Sequence, residues 1–315
     1  MPEVDLTVVV PFLNEEGSLR ELHRQLTEIL KNLTISYELL FVDDGSRDGS
    51  NRIMQTLRDE DSHVRLITFR RNQGKSAALA VGFQHSKGNY IVTMDADLQD
   101  DPAEIPHLIS KLEEGFDLVS GWKKVRHDPL TKTIPSRIFN GVTGLMSGIR
   151  LHDFNCGLKI YRREVTGELA VYGERHRFLP VLAHMQGFRV GELPVKHHPR
   201  RFGQTKFGWY RFIAGFFDLI TLLFRMKFLS KPLHLFGSIG MISLLGGAAI
   251  LVYLAVGWLQ GVWIGSRPLF FIGILGVISG IQFFTLGLLA EMIVDKSQRS
   301  NLPLRDDSDL SPPPS

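Results

Sequence analysis

Residues 90–102 read YIVTMDADLQDDP, an apolar run from Tyr90 to Thr93 that delivers four aspartates to one place with no basic residue among them. The run has the composition of a buried strand, so the acids fall at its carboxyl end. Their mutual repulsion raises the cost of folding unless a positive group joins them. Asp95 and Asp97 are two residues apart, and a strand that has opened into a loop can turn both carboxylates toward one cation. Oxygen ligands select hard ions such as Mg²⁺ or Mn²⁺, and Mg²⁺ is commonly held by one or two carboxylates plus substrate phosphates. Gln99 adds a carbonyl oxygen two residues on. The expectation is a divalent metal bridging these acids to a diphosphate.

Outward from this stretch the same pattern repeats. LTVVVPF (Leu6 to Phe12), ELLFVDD (Glu38 to Asp44) and VRLITF (Val64 to Phe69) read as earlier strands. Between them lie amphipathic helices, the first opened by Ser18 and Glu21 at capping-box spacing and carrying Leu19, Leu22, Leu26, Ile29 and Leu33 on one face. A second helix passes through Ile53 and Leu57, and NQGKSAALAVGF forms a third. Such alternation predicts a parallel sheet covered on both faces. Ligands of these sheets bind beyond the strands' carboxyl ends, where PFLNEE, VDDGSRD, FRRNQGKS and MDADLQD share one rim. Past Phe116, DLVSGW, GLKIYRR and RVGELPVKHHPR read as further strands in a looser pattern.

The last third is different in kind. Leu235 to Gln260 and Pro268 to Ala290 contain no Asp, Glu, Lys or Arg, and each exceeds the roughly 20 apolar residues needed to cross a bilayer. Two transmembrane helices joined by a short turn, Gly261 to Arg267, follow. Eight basic residues and one acid lie between Lys196 and Lys231, against Arg267 alone in the turn. The positive-inside tendency therefore puts both termini and the large N-terminal domain in the cytoplasm, on a multi-pass protein of the plasma (inner) membrane. Aromatic-rich GWYRFIAGFFDLITLLFRMKFL, from Gly208 to Leu229, suits helices in the membrane interface. Met1 to Asp5 has neither a basic n-region nor an apolar h-region, so no signal peptide is expected. Cys156 is the only cysteine, which excludes an intrachain disulfide and a thiolate metal site. A net charge of +3 is too small to indicate a nucleic-acid partner. The tail after Ser297 is polar and proline-rich and is expected to be disordered. Gly240, Gly246 and Gly247 would permit close helix packing, including in a homo-oligomer.

Three motifs carry a family resemblance. PFLNEE matches Pro-x-x-Asn-Glu, VDDGSRDGS matches Asp-Asp-Gly-Ser-x-Asp, and DADLQDDP matches Asp-Ala-Asp-Leu-Gln-x-x-Pro. In this order and at these distances they resemble inverting nucleotide-sugar glycosyltransferases of family 2 with the GT-A fold. The two C-terminal apolar runs make the chain similar to polyprenyl-phosphate glycosyltransferases, such as bactoprenol glucosyltransferases and dolichyl-phosphate mannose synthases, over roughly Leu6 to Asp295. The resemblance implies an α/β, Rossmann-like catalytic domain with a mostly parallel sheet over 1–207, juxtamembrane amphipathic helices over 208–231, two transmembrane helices over 232–295, and a tail over 296–315.

Roles follow from the resemblance residue by residue. Pro11, Leu13, Glu15, Val42 and Asp44 match positions that hold the nucleoside, with Glu15 on the ribose and Asp44 near the base; the family usually has an aromatic residue where Leu13 stands. Asp95 and Ala96 match donor-binding positions, and Asp97 and Gln99, with Asp95, match the metal site for Mg²⁺ or Mn²⁺. Lys123 falls where an arginine is common near a donor phosphate. RRFGQTKFG resembles a basic segment that puts Arg200 and Lys206 over the diphosphate, with Thr205 replacing a serine. Read without the family, the same segment is a juxtamembrane patch drawn to anionic lipid, and both roles are compatible. Arg126 and Arg137 fall in the part that grips the acceptor phosphate, for which arginine's planar fork is suited. Asp153, in HDFNCGLKIYRR, matches an acid near the reacting centre. A lipid monophosphate, with a second pKa of about 6 by analogy with phosphorylated side chains, is already largely anionic, so Asp153 is expected to position more than to deprotonate.

The implied activity is transfer, with inversion, from a UDP-sugar to a polyprenyl phosphate in the membrane. UDP-glucose is the first expectation, ahead of GDP-mannose and a UDP-linked amino sugar. A processive polysaccharide synthase would usually carry a Gln-x-x-Arg-Trp motif and more spans, neither of which is present. A catalytically silent membrane scaffold would have no use for intact Glu15, Asp95 and Asp97.

Overall fold

Among the described residues seven segments form strands: β1 (Val4–Phe12), β2 (Tyr37–Asp43), β3 (Val64–Thr68), β4 (Gly88–Thr93), β5 (Leu118–Lys123), β6 (Lys159–Arg162) and β7 (Val190–Val195). They join one sheet in the order β3-β2-β1-β4-β6-β5-β7. Every pairing is parallel except those of β6, which runs antiparallel to β4 and β5. The computed structural model describes residues 4–124, 140–145, 147–169, 171, 173, 175–199, 232–261, 263–265 and 267–298. The chain divides into two compact units, Met1–Leu219 and Ile220–Ser315.

Strand period decides which residues meet which helices. Leu6, Val8, Val10 and Phe12 of β1 point to one face, where α1 (Leu19–Lys31), α2 (Ser50–Glu60) and α4 (Ile105–Glu113) cover them. Val9 points to the other face, against α3 (Lys75–His85), α5 (Arg163–Glu168) and α6 (Leu179–Met185). The α1 stripe settles as Leu19, Leu22, Leu26 and Leu30, all fully buried. Leu33 packs at its edge, and Ile29 is half-buried. The expected capping box does not form, because the Ser18 hydroxyl donates back to the Glu15 carbonyl at 3.0 Å and the Glu21 carboxylate is taken by Arg24 and Gln25, each at 2.7 Å.

The second unit is a helix pair, α7 (Pro232–Leu259) and α8 (Pro268–Gln298), long and apolar enough to cross a membrane, with mean hydropathies of 2.3 and 2.1 over the candidate spans. Glycines let the two backbones touch. A Cβ on Gly247 would lie 2.6 Å from the Val277 nitrogen and 2.7 Å from the Gly273 oxygen; one on Gly240 would lie 2.8 Å from the Gly280 oxygen. Close backbone approach of this kind is the main attraction between helices in lipid, where burial of apolar surface gains nothing. Gly246, grouped with these two in the sequence, has open space around it. The Ser243 hydroxyl donates to the Gly276 carbonyl at 2.9 Å, and the Leu233 N–H at the start of α7 donates to Glu291 Oε2 at 3.1 Å. The interfacial helices expected at 208–231 lie outside the described residues; of the tail expected over 296–315, residues 296–298 continue α8 and 299–315 lie outside them.

Candidate active site

β4 ends level with Val9 of β1, so β1 continues through Pro11 and Phe12 while the chain from Met94 leaves the sheet. Asp95 therefore rises beside Pro11, and the two line one pocket with Lys75, Gly157, Lys159 and His176. The departing loop turns on Leu98, whose φ of 61° lies in the left-handed region, a conformation that costs a residue with a Cβ about 1–2 kcal/mol. That turn leaves Asp97 and Asp100 only 8% and 2% exposed. The Gln99 N–H donates to Asp97 Oδ1 at 3.2 Å, and the strand edge beyond β7 secures the loop, with the His198 N–H donating to the Gln99 carbonyl at 2.8 Å.

Two lysines supply part of the positive charge that the acidic stretch requires. Lys75, from the first turn of α3, pairs with Asp95, and Lys123, at the end of β5, lies 3.1 Å from Asp100. Burial alone would raise the Asp95 carboxyl, but Lys75, aided by Lys123, pulls it down to about 2. Burial alone would likewise lower Lys123, and Asp100 reverses this and holds it protonated above the ordinary lysine value. Extending the antiparallel register in which Thr93 faces Lys159 places Gly157 opposite Asp95. A Cβ on Gly157 would sit 2.8 Å from Asp95 Oδ2 and 2.9 Å from Asp100 Oδ2, so glycine is required where both carboxylates converge. The Thr93 hydroxyl donates to the Gly157 carbonyl at 2.9 Å and fixes that approach. Beneath it the Lys159 ammonium donates to the Cys156 carbonyl, and burial lowers its pKa.

The other side of the rim is built from the ends of β1 and β2. Asn14 adopts a φ of 54°; its Oδ1 accepts the Arg47 N–H at 2.8 Å, and its own N–H donates to Ser46 Oγ at 3.0 Å. Glu15 follows, its N–H donating to Ser50 Oγ at 2.8 Å, which leaves Leu13 and Glu15 half-buried at the rim. Val42 and Ala96 are buried beneath it. Asp44 accepts the Gln73 N–H at 2.6 Å and the Gly74 N–H at 3.0 Å, just ahead of α3; burial outweighs these bonds and raises its pKa. Asp153 is buried, its N–H held by Glu192 at 3.0 Å and its Oδ1 accepting the Asn155 N–H at 3.1 Å. Arg126, Arg137, Arg200 and Lys206 lie outside the described residues.

Among the described residues no three of His, Cys, Asp and Glu form a metal cluster. Oxygen donors at a strand end fit an ion completed by substrate phosphates better than a closed protein cage; here Asp95 lines the pocket beside Lys75, and Asp97 is 8% exposed. Lys75, Asp100, Gly157, Lys159 and His176 are members of the site that the sequence did not single out. FRRNQGKS did place Lys75 on the shared rim, but its pairing with Asp95 is a tertiary fact without a motif. Asp100 lay within the quoted stretch and fell outside the two-residue spacing that picked out Asp95 and Asp97.

The sequence model of Glycosyl transferase family 2 matches residues 7–170. A dodecaprenyl-phosphate galacturonate synthase of Rhizobium johnstonii is 38% identical over 298 residues, covering 92% of this chain and 88% of that protein. An undecaprenyl-phosphate 4-deoxy-4-formamido-L-arabinose transferase of Salmonella choleraesuis is 36% identical over 295 residues, covering 93% and 89%. Among solved structures, glucosyl-3-phosphoglycerate synthase from Mycobacterium tuberculosis in complex with Mn²⁺, UDP and phosphoglyceric acid superposes with a TM-score of 0.54 at 18% identity, over 71% of this chain and 79% of that one. That likeness is one of fold, a GT-A-like sheet with helices on both faces. The family match over more than half the chain and the relatives along nearly all of it agree: the chain belongs to glycosyl transferase family 2.

Proposed function

We propose that the protein is a membrane-bound inverting glycosyltransferase that moves a sugar from a UDP-sugar to a polyprenyl phosphate. The observation that carries this reading is the likeness, over more than nine-tenths of the chain, to two relatives whose names both contain a polyprenyl phosphate. Those names also revise the expected sugar. One contains galacturonate and the other 4-deoxy-4-formamido-L-arabinose, so a uronate or an amino-pentose takes precedence over glucose as the transferred group.

In this reading the acceptor's phosphate oxygen bonds to the anomeric carbon from the side opposite the nucleotide. The bond from that carbon to the diphosphate oxygen breaks, and its electron pair leaves with the nucleoside diphosphate. Pro11, Leu13, Glu15, Val42 and Asp44 hold the nucleoside, while Asp95 and Ala96 hold the donor near Lys123. Asp95, Asp97 and Gln99 would hold a Mg²⁺ or Mn²⁺ ion, which would neutralise charge on the departing diphosphate. The Mycobacterium tuberculosis synthase solved with Mn²⁺ and UDP supports that pairing of metal and uridine nucleotide. Arg200 and Lys206 add cationic charge there, Arg126 and Arg137 take the acceptor phosphate, and Asp153 orients the reacting groups. The helix pair anchors the protein in the membrane that confines the acceptor, with both termini and the catalytic unit on the cytoplasmic side of the inner membrane, a reading supported by the basic residues before α7.

The test offers membranes containing the protein undecaprenyl phosphate and, separately, UDP-galacturonate, UDP-4-deoxy-4-formamido-L-arabinose and UDP-glucose, with Mg²⁺ or Mn²⁺. A chloroform-soluble sugar phosphate formed best from one of the first two is expected. Failure of every UDP-sugar to label the lipid would sink the proposal, and preference for glucose would restore the original choice of sugar.

A further inference from the structure

His152 immediately precedes Asp153 and begins the loop that runs through Asn155, Cys156 and Gly157 into the lining of the donor pocket. Its side chain is 65% exposed, yet two contacts fix the ring and two more hold its backbone. The imidazole stacks on Trp122 with ring centroids 4.1 Å apart and an interplanar angle of 16°. Its Nδ1 lies 2.7 Å from Glu192 Oε2, and its carbonyl accepts the Asn140 side-chain amide at 2.8 Å. Glu192 uses its other oxygen, Oε1, on two backbone donors, the His152 N–H at 2.8 Å and the Asp153 N–H at 3.0 Å.

Sheet register explains how two different side chains reach one histidine. On the parallel pair β5 and β7, Ser120 faces Glu192 and Trp122 faces Pro194, so Trp122 and Glu192 are diagonal neighbours on one sheet face. Glu192 is only 11% exposed. A carboxylate has acceptors only, so the proton in the contact belongs to His152 Nδ1. That leaves Nε2 on the other side of a ring whose side chain is 65% exposed. Protonation of Nε2 gives an imidazolium whose charge Glu192 balances from behind and whose N–H can be offered to an anion. Lys124, 5.8 Å from the centre of the Trp122 ring, adds a cation at the same aromatic side chain. An exposed histidine held by a stacked ring and a buried carboxylate is organised for a ligand; a merely solvated one would need neither support.

We propose that His152 is a contact for the phosphate of the lipid acceptor, turned toward it by Glu192 as a positioning residue. The inference rests on the polyprenyl-phosphate reading above. It adds a site in the described part of the molecule, on the loop that also carries Asp153 and the pocket lining. Phosphomonoester is the ligand class because its anionic oxygens accept a charge-assisted hydrogen bond from Nε2, with the Lys124 ammonium 5.8 Å from the centre of the same Trp122 ring.

The test uses the full-length protein in neutral detergent with a short, water-soluble prenyl phosphate and with undecaprenyl phosphate. His152→Phe keeps an aromatic ring on Trp122 and removes both nitrogens. Its acceptor KM should rise about 10- to 100-fold for both acceptors, as expected for losing a hydrogen bond to a charged group, while donor KM stays within about twofold. Glu192→Gln retains an oxygen for the two backbone N–H groups and should give a smaller rise. His152→Gln replaces the first variant if that one does not fold. An unchanged acceptor KM overturns the proposal; so does a parallel rise in donor KM, which would mark a structural loop, and so does an effect confined to undecaprenyl phosphate, which would mark a bilayer contact. If the wild type transfers no sugar to either acceptor, the functional reading fails by itself. Calorimetric binding of the short prenyl phosphate to wild type and His152→Phe then decides the inference separately, equal affinities counting against it.

Discussion

The two units of this protein both bring backbone and side chain closer than a Cβ allows, for opposite reasons. In the catalytic unit Gly157 gives up its side chain so that Asp95 and Asp100 can converge, each beside its own lysine. In the helix pair Gly240 and Gly247 give theirs up so that two neutral backbones can touch. The first arrangement concentrates charge and depends on local compensation. The second avoids charge and depends on dispersion contacts that no solvent effect replaces. Electrostatic changes should therefore be felt in the first unit and steric ones in either.

Asp97→Ala is the severest test of the charged side of this comparison. Removing one group that stabilises charge on the leaving diphosphate should lower kcat by about a hundredfold or more even with excess Mg²⁺ or Mn²⁺. Near wild-type turnover would remove Asp97 from the site. Gly157→Ala comes next. Its new methyl group would meet the Asp95 and Asp100 carboxylates inside 3 Å, and both are pinned by lysines, so they cannot simply swing aside. We expect a loss of about 1–3 kcal/mol in the stability of the catalytic unit, together with weaker UDP binding, seen by thermal unfolding and titration calorimetry.

These expectations also show what the sequence made legible. Strand-end acids on an alternating α/β pattern place Asp95 and Asp97 on a rim, and the structure puts Pro11 and Asp95 in one pocket. Periodicity and charge suffice for that because parallel strands bring their carboxyl ends together. The partners of the acids were not legible: Lys75 is 20 residues from Asp95 and Lys123 is 23 from Asp100, in segments with no spacing rule connecting them. The same holds for the glycines of the helix pair, where Gly246 and Gly247 are adjacent in sequence and a 100° step around the helix puts one in the contact and the other outside it.

Gly247→Leu against Gly246→Leu turns that last point into a measurement. The first should push α8 away and cost about 1–3 kcal/mol in detergent, while the second, with open space around it, should cost well under about 1 kcal/mol. Equal costs would mean that the helix contact is not the one described. UDP affinity should be unaffected by either substitution, since the proposed nucleotide site belongs to the other unit.

A smaller effect separates local charge compensation from burial. Asp95 lies below its ordinary value of 3.8 because of Lys75. Its contribution to stability is therefore present above about pH 4 and lost as the pH falls toward about 2. In Lys75→Met the compensating cation is gone and burial dominates, so the acid-unfolding midpoint of the catalytic unit should move to higher pH, as read by circular dichroism. An unchanged midpoint would mean that other neighbours, Lys123 first among them, carry the compensation.

The smallest effect probes Glu291, the one acid within the apolar spans Pro232–Leu259 and Pro268–Ile293. Glu291 of α8 accepts the Leu233 N–H at the opening turn of α7, where the first N–H groups of any helix have no partner of their own. Glu291→Ala leaves that donor to water or lipid and removes a negative charge from the positive end of the helix dipole, a change of about 0.5–1 kcal/mol at an accessible helix end. Glu291→Gln, which keeps an acceptor oxygen and loses the charge, separates the two contributions. If the alanine variant melts with the wild type in detergent and the glutamine variant does too, the charge of Glu291 adds nothing to the helix pair, and the contrast with the charge-compensated catalytic unit becomes complete.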